Sequence, residues 1–383
     1  MLMNSKIQDT FLQLVRLGIR TSEDIPVLEG VDWQALEDLA NEQGLLGVML
    51  DGVDKFSREL RPEKKAIIQS IGQLVQTEQM YAVQEHAAAE MALLLHQHGI
   101  RTYVLKGAVV AECYPRPEHR RSVDMDCFLL PEEGSEDVWE KGNRVVEEAG
   151  FEVARGFYKN SKFHLPGLAV ENHRFMTPFR GNRRMRRLER LLQAMMVNEN
   201  DNLNENDNEN GGGKELGLGS ALTLNRRFDG TWMYRPPVMV SALFLVEHAY
   251  SHFLHEGLTW RHVLDWQMFS RRHQAEIDWR SFDAFVDEFG FRKFYESYCR
   301  LGRFLIGDVA ADGLSSVDLR MLSDVLAPLD LHESLHGVKA KFQLAGNYWR
   351  ARWKYKLFTD MTWVRALMEW VLGAVFDRQP KIV

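Results

Sequence analysis

The 383-residue chain has only three cysteines, Cys113, Cys127 and Cys299, scattered and odd in number. That excludes a disulfide framework, and the spacing lacks the paired pattern of a structural zinc site. A reducing, cytoplasmic setting is the expectation. Long apolar runs are also missing. The strongest, MTWVRALMEWVLGAVF near the C-terminus, is broken by Arg365 and Glu369 and is too short and too charged to span a bilayer. It reads as a core or docking helix. The N-terminal MLMNSKIQDTFLQLVRLGIR is amphipathic and lacks the unbroken apolar core of a signal peptide. There is no cationic excess either. With 47 Lys and Arg against 54 Asp and Glu the net charge is −7, so nothing in the total marks a dedicated nucleic-acid binder. No internal repeat is visible.

What is present is an ordinary globular composition, 45% hydrophobic and 26% charged, with enough chain for two or three domains. Residues 1–98 read as helical. Trp33, Leu36, Leu39 and Ala40 mark one amphipathic stretch, and a longer one runs from Pro62 to His98, stopped by Gly99. Residues 99–178 read as a small α/β unit. It has strands at IRTYVL (100–105), SVDMDCFLL (122–130), FEVARGFY (151–158) and KFHL-PG-LAVENH, whose last two are joined by a Pro-Gly turn. AVVAECY is a short helix stopped at Pro115, and Ser135 is the expected cap of a helix reaching Ala149. Residues 179–235 hold a basic segment and then NENDNLNENDNENGGG (198–213), which is too polar to offset its ordering entropy and reads as a disordered loop. Residues 236–383 return to helix, beginning with a mostly apolar, buried one in VMVSALFLVEHAYSHFLH. The fold class expected is α+β, a minimal α/β core between N- and C-terminal helical regions.

The stretch LKGAVVAECYPRPEHRRSVDMDCFLL (105–130) carries the chemistry. Residues two apart in a strand point the same way, so Asp124 and Asp126 share a face with Phe128, opposite Val123, Met125, Cys127 and Leu129. Two carboxylates this close repel, and burial is costly without a cation. Oxygen ligands of this kind suit Mg²⁺ together with substrate phosphates. Glu171 is the candidate third carboxylate: in LAVENH it shares a face with His173 and avoids Leu168 and Val170. Lys106 and Gly107 lie just before a helix, where free N–H groups favour an anion, and Arg120 and Arg121 precede the aspartates as possible phosphate partners. Taken singly these signals are weak. Asp-x-Asp is common at solvated strand ends, and the information lies in the ordered set.

That ordered set resembles the nucleotidyltransferase superfamily that includes DNA polymerase β. It is closer to a bacterial branch of nucleotidyltransferase-like proteins, on Leu105-Lys106-Gly107, the Tyr114-Pro115 step with a following arginine, Asp124-Met125-Asp126, and Glu171-Asn172-His173. His248 and His252 followed by Arg261 and Asp265 resemble the helical half of that branch. The resemblance covers roughly residues 80–270. It implies a mixed sheet with flanking helices and transfer of a nucleoside monophosphate from an NTP to an acceptor hydroxyl. Asp124, Asp126 and Glu171 would be the catalytic and metal residues for two Mg²⁺ ions. Lys106, Gly107, Arg120 and Arg121 would meet the nucleotide. The alternative is a nucleotide-binding or scaffold protein that keeps the fold without turnover. Which NTP and which acceptor are involved stays open.

Other constellations read more blandly. His248 and His252, four apart, share a helix face with His255 and Glu256 one turn on. The spacing can bind zinc, yet a buried polar cluster is the commoner explanation and is preferred. Arg261 and Asp265 read first as an intrahelical ion pair and second as a structural clamp. Arg180, Arg183, Arg184, Arg186, Arg187 and Arg190 read as a solvated helix face, with RNA phosphates as the less favoured partner. The tryptophans of the C-terminal half, including Trp260 and Trp266, read as core.

Overall fold

A computed structural model describes residues 5–133, 137–155, 158–178, 182–206, 227–327, 346 and 349–368. In chain order the elements are α1 (Ser5–Gly18), α2 (Trp33–Glu42), α3 (Leu46–Val53), α4 (Lys64–Gln97), β1 (Ile100–Val104), α5 (Ala108–Ala111) and a 3₁₀ turn (Pro117–His119). Then come β2 (Asp124–Pro131), α6 (Val138–Glu148), β3 (Asn160–Leu165), β4 (Leu168–His173), α7 (Arg183–Asn206) and β5 (Met233–Tyr234). The chain continues with α8 (Val238–His255), α9 (Trp260–Arg272), α10 (Trp279–Glu288), α11 (Arg292–Ile306), a second 3₁₀ turn (Ala311–Gly313), α12 (Ser316–Val325) and α13 (Arg352–Phe358). The described chain separates into two compact units. One holds residues up to 82, 110–121 and those from 245 on; the other holds 83–109 and 122–244. The α+β class read from the sequence is the class observed.

The first unit is helical. Helices α1 and α3 cross at very close range, because a Cβ on Gly18 would meet the Val48 carbonyl oxygen at 2.0 Å and one on Gly52 would meet that of Leu14 at 2.0 Å. Glycine is therefore demanded there by backbone approach. The apolar faces of α8 and α9 bury Phe253, Trp260, Trp266 and Phe269, as the tryptophan pattern predicts. Trp232, Trp279, Trp353 and Trp363 are only partly buried, and Trp349 is about half exposed, so the core expectation holds for two of the described tryptophans; Trp370 lies outside the described residues.

Residues 110–121 lie in this helical unit although the sequence placed them in the α/β core. Their polar side chains explain why. Both ring nitrogens of buried His119 meet carboxylates, Nδ1 with Asp51 at 2.9 Å and Nε2 with Glu78 at 2.9 Å. Burial alone would lower the His119 pKa; the two carboxylates outweigh it and raise it. Arg116 adds an ion pair to Asp51 at 2.8 Å.

The second unit is built on a five-stranded mixed sheet in the order β3-β4-β2-β1-β5. β1 runs antiparallel to β2 and parallel to β5, β2 runs parallel to β4, and β3 and β4 form the hairpin that the Pro166-Gly167 turn predicts. β1 and β2 are buried almost throughout, as expected for central strands with both faces covered. Helix α6 covers the face bearing Leu129, with Gly142 allowing the approach.

Several local expectations change. Among its described residues FEVARGFY is no strand; it contributes one bridge, Ala154 to Lys162. Asp137 caps α6 by accepting from the Glu140 N–H, and Ser135 lies outside the described residues. α7 runs to Asn206, into the stretch read as a disordered loop, while 207–226 lie outside the described residues. Arg183, Arg184, Arg187 and Arg190 are exposed on α7, whereas Met185, Leu188 and Leu192 are buried; Arg180 lies outside the described residues. The buried face of α7 carries Glu189, whose carboxylate accepts from the N–H groups of Met176 and Thr177 just after β4. The end of the C-terminal apolar run also lies outside the described residues. Among the described residues no helix is long and apolar enough to cross a membrane.

Candidate active site

The parallel register of β2 and β4 sets the site. Asp126 lies directly opposite Glu171, and Phe128 opposite His173. With the period of two, Asp124, Asp126, Glu171 and His173 occupy one face of the central sheet. A ligand atom from each of Asp126, Glu171 and His173 lies within 4.8 Å of the others. Asp124, the first residue of β2, shares the face but lies outside that cluster.

Asp126 is almost completely buried, yet it is held ionised. His173 Nε2 donates to Asp126 Oδ1 at 2.8 Å. The other ring nitrogen, Nδ1, faces the Phe175 carbonyl oxygen at 3.2 Å, and Phe244 packs edge-on at 6.2 Å. Burial by itself would push the Asp126 carboxyl up. The His173 hydrogen bond and charge, with Lys106 and Lys159 nearby, outweigh that and hold it well below the usual carboxylate range.

Glu171 is partly exposed and has its own partners. Asn160 Nδ2 donates to Glu171 Oε2 at 2.6 Å, and Lys162, opposite Glu171 across the β3–β4 hairpin, forms a short ion pair with Oε1. Partial burial would lower the Lys162 pKa, but Glu171, Asp124 and Asp126 together raise it. Lys162 therefore senses all three carboxylates.

Lys106 and Gly107 follow β1. The Leu105 N–H donates to the Asp126 carbonyl oxygen at 2.9 Å, which ties this turn to β2. Lys106 is buried, and its charge contributes to the low pKa of Asp126. Gly107 has φ +78°, a backbone conformation that favours glycine, while a Cβ there would make only ordinary contacts. The helix that follows spans only Ala108–Ala111.

Arg120 has a different partner from the one expected. Its side chain is fully buried in the helical unit, with Nε on Asp265 Oδ1 at 2.7 Å and Nη2 on Oδ2 at 2.8 Å. Tyr114 donates its hydroxyl to the same Oδ1 at 2.8 Å. The pair engages Nε and Nη2, two of the guanidinium nitrogens that a phosphate would use. Asp265 is thus held by Arg120 and Tyr114 in preference to the expected i,i+4 partner Arg261, which contributes a longer-range charge. Arg121 is exposed, and its carbonyl oxygen accepts from Arg261 at 3.4 Å.

The expected carboxylates Asp126 and Glu171 are brought together, with Asp124 beside them. His173 and Lys162 were not anticipated as site residues. His173 was visible as the residue two on from Glu171, on the same face of the strand, and Lys162 as the position opposite Glu171 once the Pro-Gly hairpin is drawn.

Residues 29–208 match the profile of a family described as uncharacterised nucleotidyltransferase. The matched segment is nucleotidyltransferase-like. It includes Lys106, Gly107, Asp124, Asp126, Glu171 and His173. Comparison with curated proteins and with solved structures gave no match.

Proposed function

We infer that the second unit of this nucleotidyltransferase-like chain transfers a nucleoside monophosphate from an NTP to an acceptor hydroxyl, with Mg²⁺ held by Asp124, Asp126 and Glu171. The observation that carries this reading is the convergence of Asp126, Glu171 and His173 on adjacent parallel strands. The donor set fits the metal: two carboxylates with a third beside them supply the hard oxygen ligands that Mg²⁺ takes, in a number suited to a two-ion site. His173 points an N–H at Asp126, so it orients that carboxylate and leaves ligation to the oxygens. When bound, the metal would neutralise phosphate charge and lower the pKa of an acceptor hydroxyl.

The chain's own residues do the positioning. His173 fixes the rotation of Asp126, so Oδ2 has one direction in which to meet a cation. Lys162 balances Glu171 until another positive charge takes its place. Lys106, buried beside Asp126, is the cation proposed to meet the nucleotide phosphates, with Gly107 letting the backbone approach. Arg120 is assigned to the fold through Asp265.

The test is pyrophosphate release with Mg²⁺ and each NTP in turn, using wild type and Asp126→Asn, over a panel of acceptors. Release by wild type and its loss in the variant, with an unchanged circular dichroism spectrum, is the expected result. Full turnover by Asp126→Asn would overturn the assignment. The second reading, nucleotide binding without turnover, draws on one observation: Asp126 and Glu171 each already have a donor or cation of their own. It predicts a rise in melting temperature with Mg²⁺ and NTP but no pyrophosphate with any acceptor.

A further inference from the structure

The helical unit contains a second cluster that nucleotidyl transfer does not use. His248 and His252 are one turn apart on α8, and His262 stands in the first turn of α9. A ring nitrogen from each lies within 4.8 Å of the other two. The rings adjoin in series, with centroids of His248 and His252 4.4 Å apart and those of His252 and His262 5.0 Å apart. Among the described residues, this and the Asp126 cluster are the groups of three or more potential metal ligands.

The surroundings orient two of these rings. His252 Nδ1 pairs with Glu256 Oε2 at 2.9 Å, the carboxylate-to-histidine contact that fixes a ligating imidazole with its other nitrogen directed away. His262 Nδ1 lies 2.9 Å from Thr259 Oγ1, at the cap of α9. The Glu256 contact directs His252 Nε2 to the cluster. His262 Nδ1 also accepts from the Thr259 N–H at 3.2 Å, so His262 presents Nε2 to a metal once its proton sits on Nδ1 and is donated to Thr259 Oγ1, at the cost of the N–H contact. His262 is buried and cannot swing far, whereas His248 and His252 are partly exposed, so the cluster has a fixed floor and a solvent-facing side. In a tetrahedral site with metal–nitrogen distances of about 2.0–2.1 Å the ligand atoms sit about 3.3 Å apart. From a limit of 4.8 Å, the rings need to close by no more than about 1.5 Å, which side-chain rotation supplies.

We propose that His248, His252 and His262 bind one first-row transition-metal cation of the zinc class, with the fourth position open to water. Three imidazoles select such a metal over Mg²⁺, whose preferred ligands are oxygens. The helix pair α8–α9 supplies the chelate: two ligands at i and i+4 on one helix and the third from the next. From the sequence, His248, His252, His255 and Glu256 read as a buried polar cluster, and His262 was not part of it. His262 is what changes the balance, and it is ten residues further on, across a helix boundary.

The experiment uses the full chain, stripped with a chelator and titrated with Zn²⁺ and with Co²⁺. Metal content is measured by mass spectrometry after buffer exchange, and the Co²⁺ complex by its visible ligand-field spectrum. Wild type is expected to take up one equivalent with a nitrogen-ligand Co²⁺ spectrum. His248→Gln, His252→Gln and His262→Gln should each weaken binding at least about tenfold, and Glu256→Gln should weaken it by about tenfold through loss of the orienting contact. Asp126→Asn with Glu171→Gln should leave Zn²⁺ uptake unchanged, because the two clusters are independent. Absence of stoichiometric uptake by folded wild type overturns the proposal. So does uptake that survives all three histidine variants, or uptake lost only in the carboxylate double variant. If buried His262→Gln fails to fold, the partly exposed His248→Gln, checked by circular dichroism, decides.

Discussion

Asp126 and Asp265 are both buried aspartates, one in each unit, and their surroundings differ in a way that separates structure from chemistry. Asp265 is closed: a bidentate Arg120 and a Tyr114 hydroxyl occupy its two oxygens, so its charge is matched on the spot. Asp126 is open: one histidine N–H holds Oδ1, and the other acidic groups of the sheet face, Glu171 and Asp124, are its neighbours. A buried carboxylate whose partners match it fully is part of the fold. One placed beside further carboxylates, with His173, Lys106 and Lys159 as its cationic neighbours, is where the proposed Mg²⁺ would bind.

The largest expected effect tests the closed side. Arg120→Ala leaves Asp265 buried without its counter-charge and should cost about 3–5 kcal/mol in urea unfolding. The paired change Arg120→Met with Asp265→Leu should cost clearly less. If the single and double variants are equally destabilised, the pair is not what holds this region.

On the open side, Asp126→Asn should lower nucleotidyl transfer by about 10²–10³-fold, comparable with removing one preorganised electrostatic group, with the fold retained. Glu171→Gln should lower it by a smaller factor, about 10–100-fold, because the group is partly exposed and partly balanced by Lys162. The turnover assay under Proposed function measures both. A variant of Asp126 that loses stability as severely as Arg120→Ala would erase the contrast between the two aspartates.

pH gives a subtler test of the closed pair. Burial raises the Asp265 pKa and the neighbouring Arg120 more than reverses this, so its folded value lies below the ordinary one. Its contribution is therefore present above the unfolded pKa of about 3.9 and is lost as pH falls through the folded value. The stability gap between wild type and Arg120→Met/Asp265→Leu should be constant from neutral pH down to about 5 and should change only below about 4. The smallest effect is expected of Arg261→Ala, under about 1 kcal/mol, since Asp265 already has its close partners. A larger loss would restore the intrahelical pair that spacing alone suggests.

Much of the site was legible because it depends on local periodicity. Alternation along SVDMDCFLL puts both aspartates on one face, and the same rule puts Glu171 beside His173; the Pro-Gly turn makes the β3–β4 hairpin. The positions of Arg120 and His262 were not legible. Arg120 lies four residues before Asp124 in the chain, and proximity in sequence suggested a shared role. Its partner, Asp265, is 145 residues away. The same distance problem hid Lys162 until the hairpin register was known, and it hid the third histidine behind a helix cap.

The sequence by itself determined the helical and α/β texture, the polar face of β2 and the family to which residues 29–208 are similar, because these follow from neighbours two, three or four residues apart. Tertiary structure alone decided which polar groups meet: Asp126 with His173, Arg120 with Asp265, and three histidines from two helices. Burial makes the difference. In water each of these groups is solvated separately, and only when the packed core withdraws solvent must every charge find a partner at hydrogen-bonding distance, wherever in the chain that partner lies.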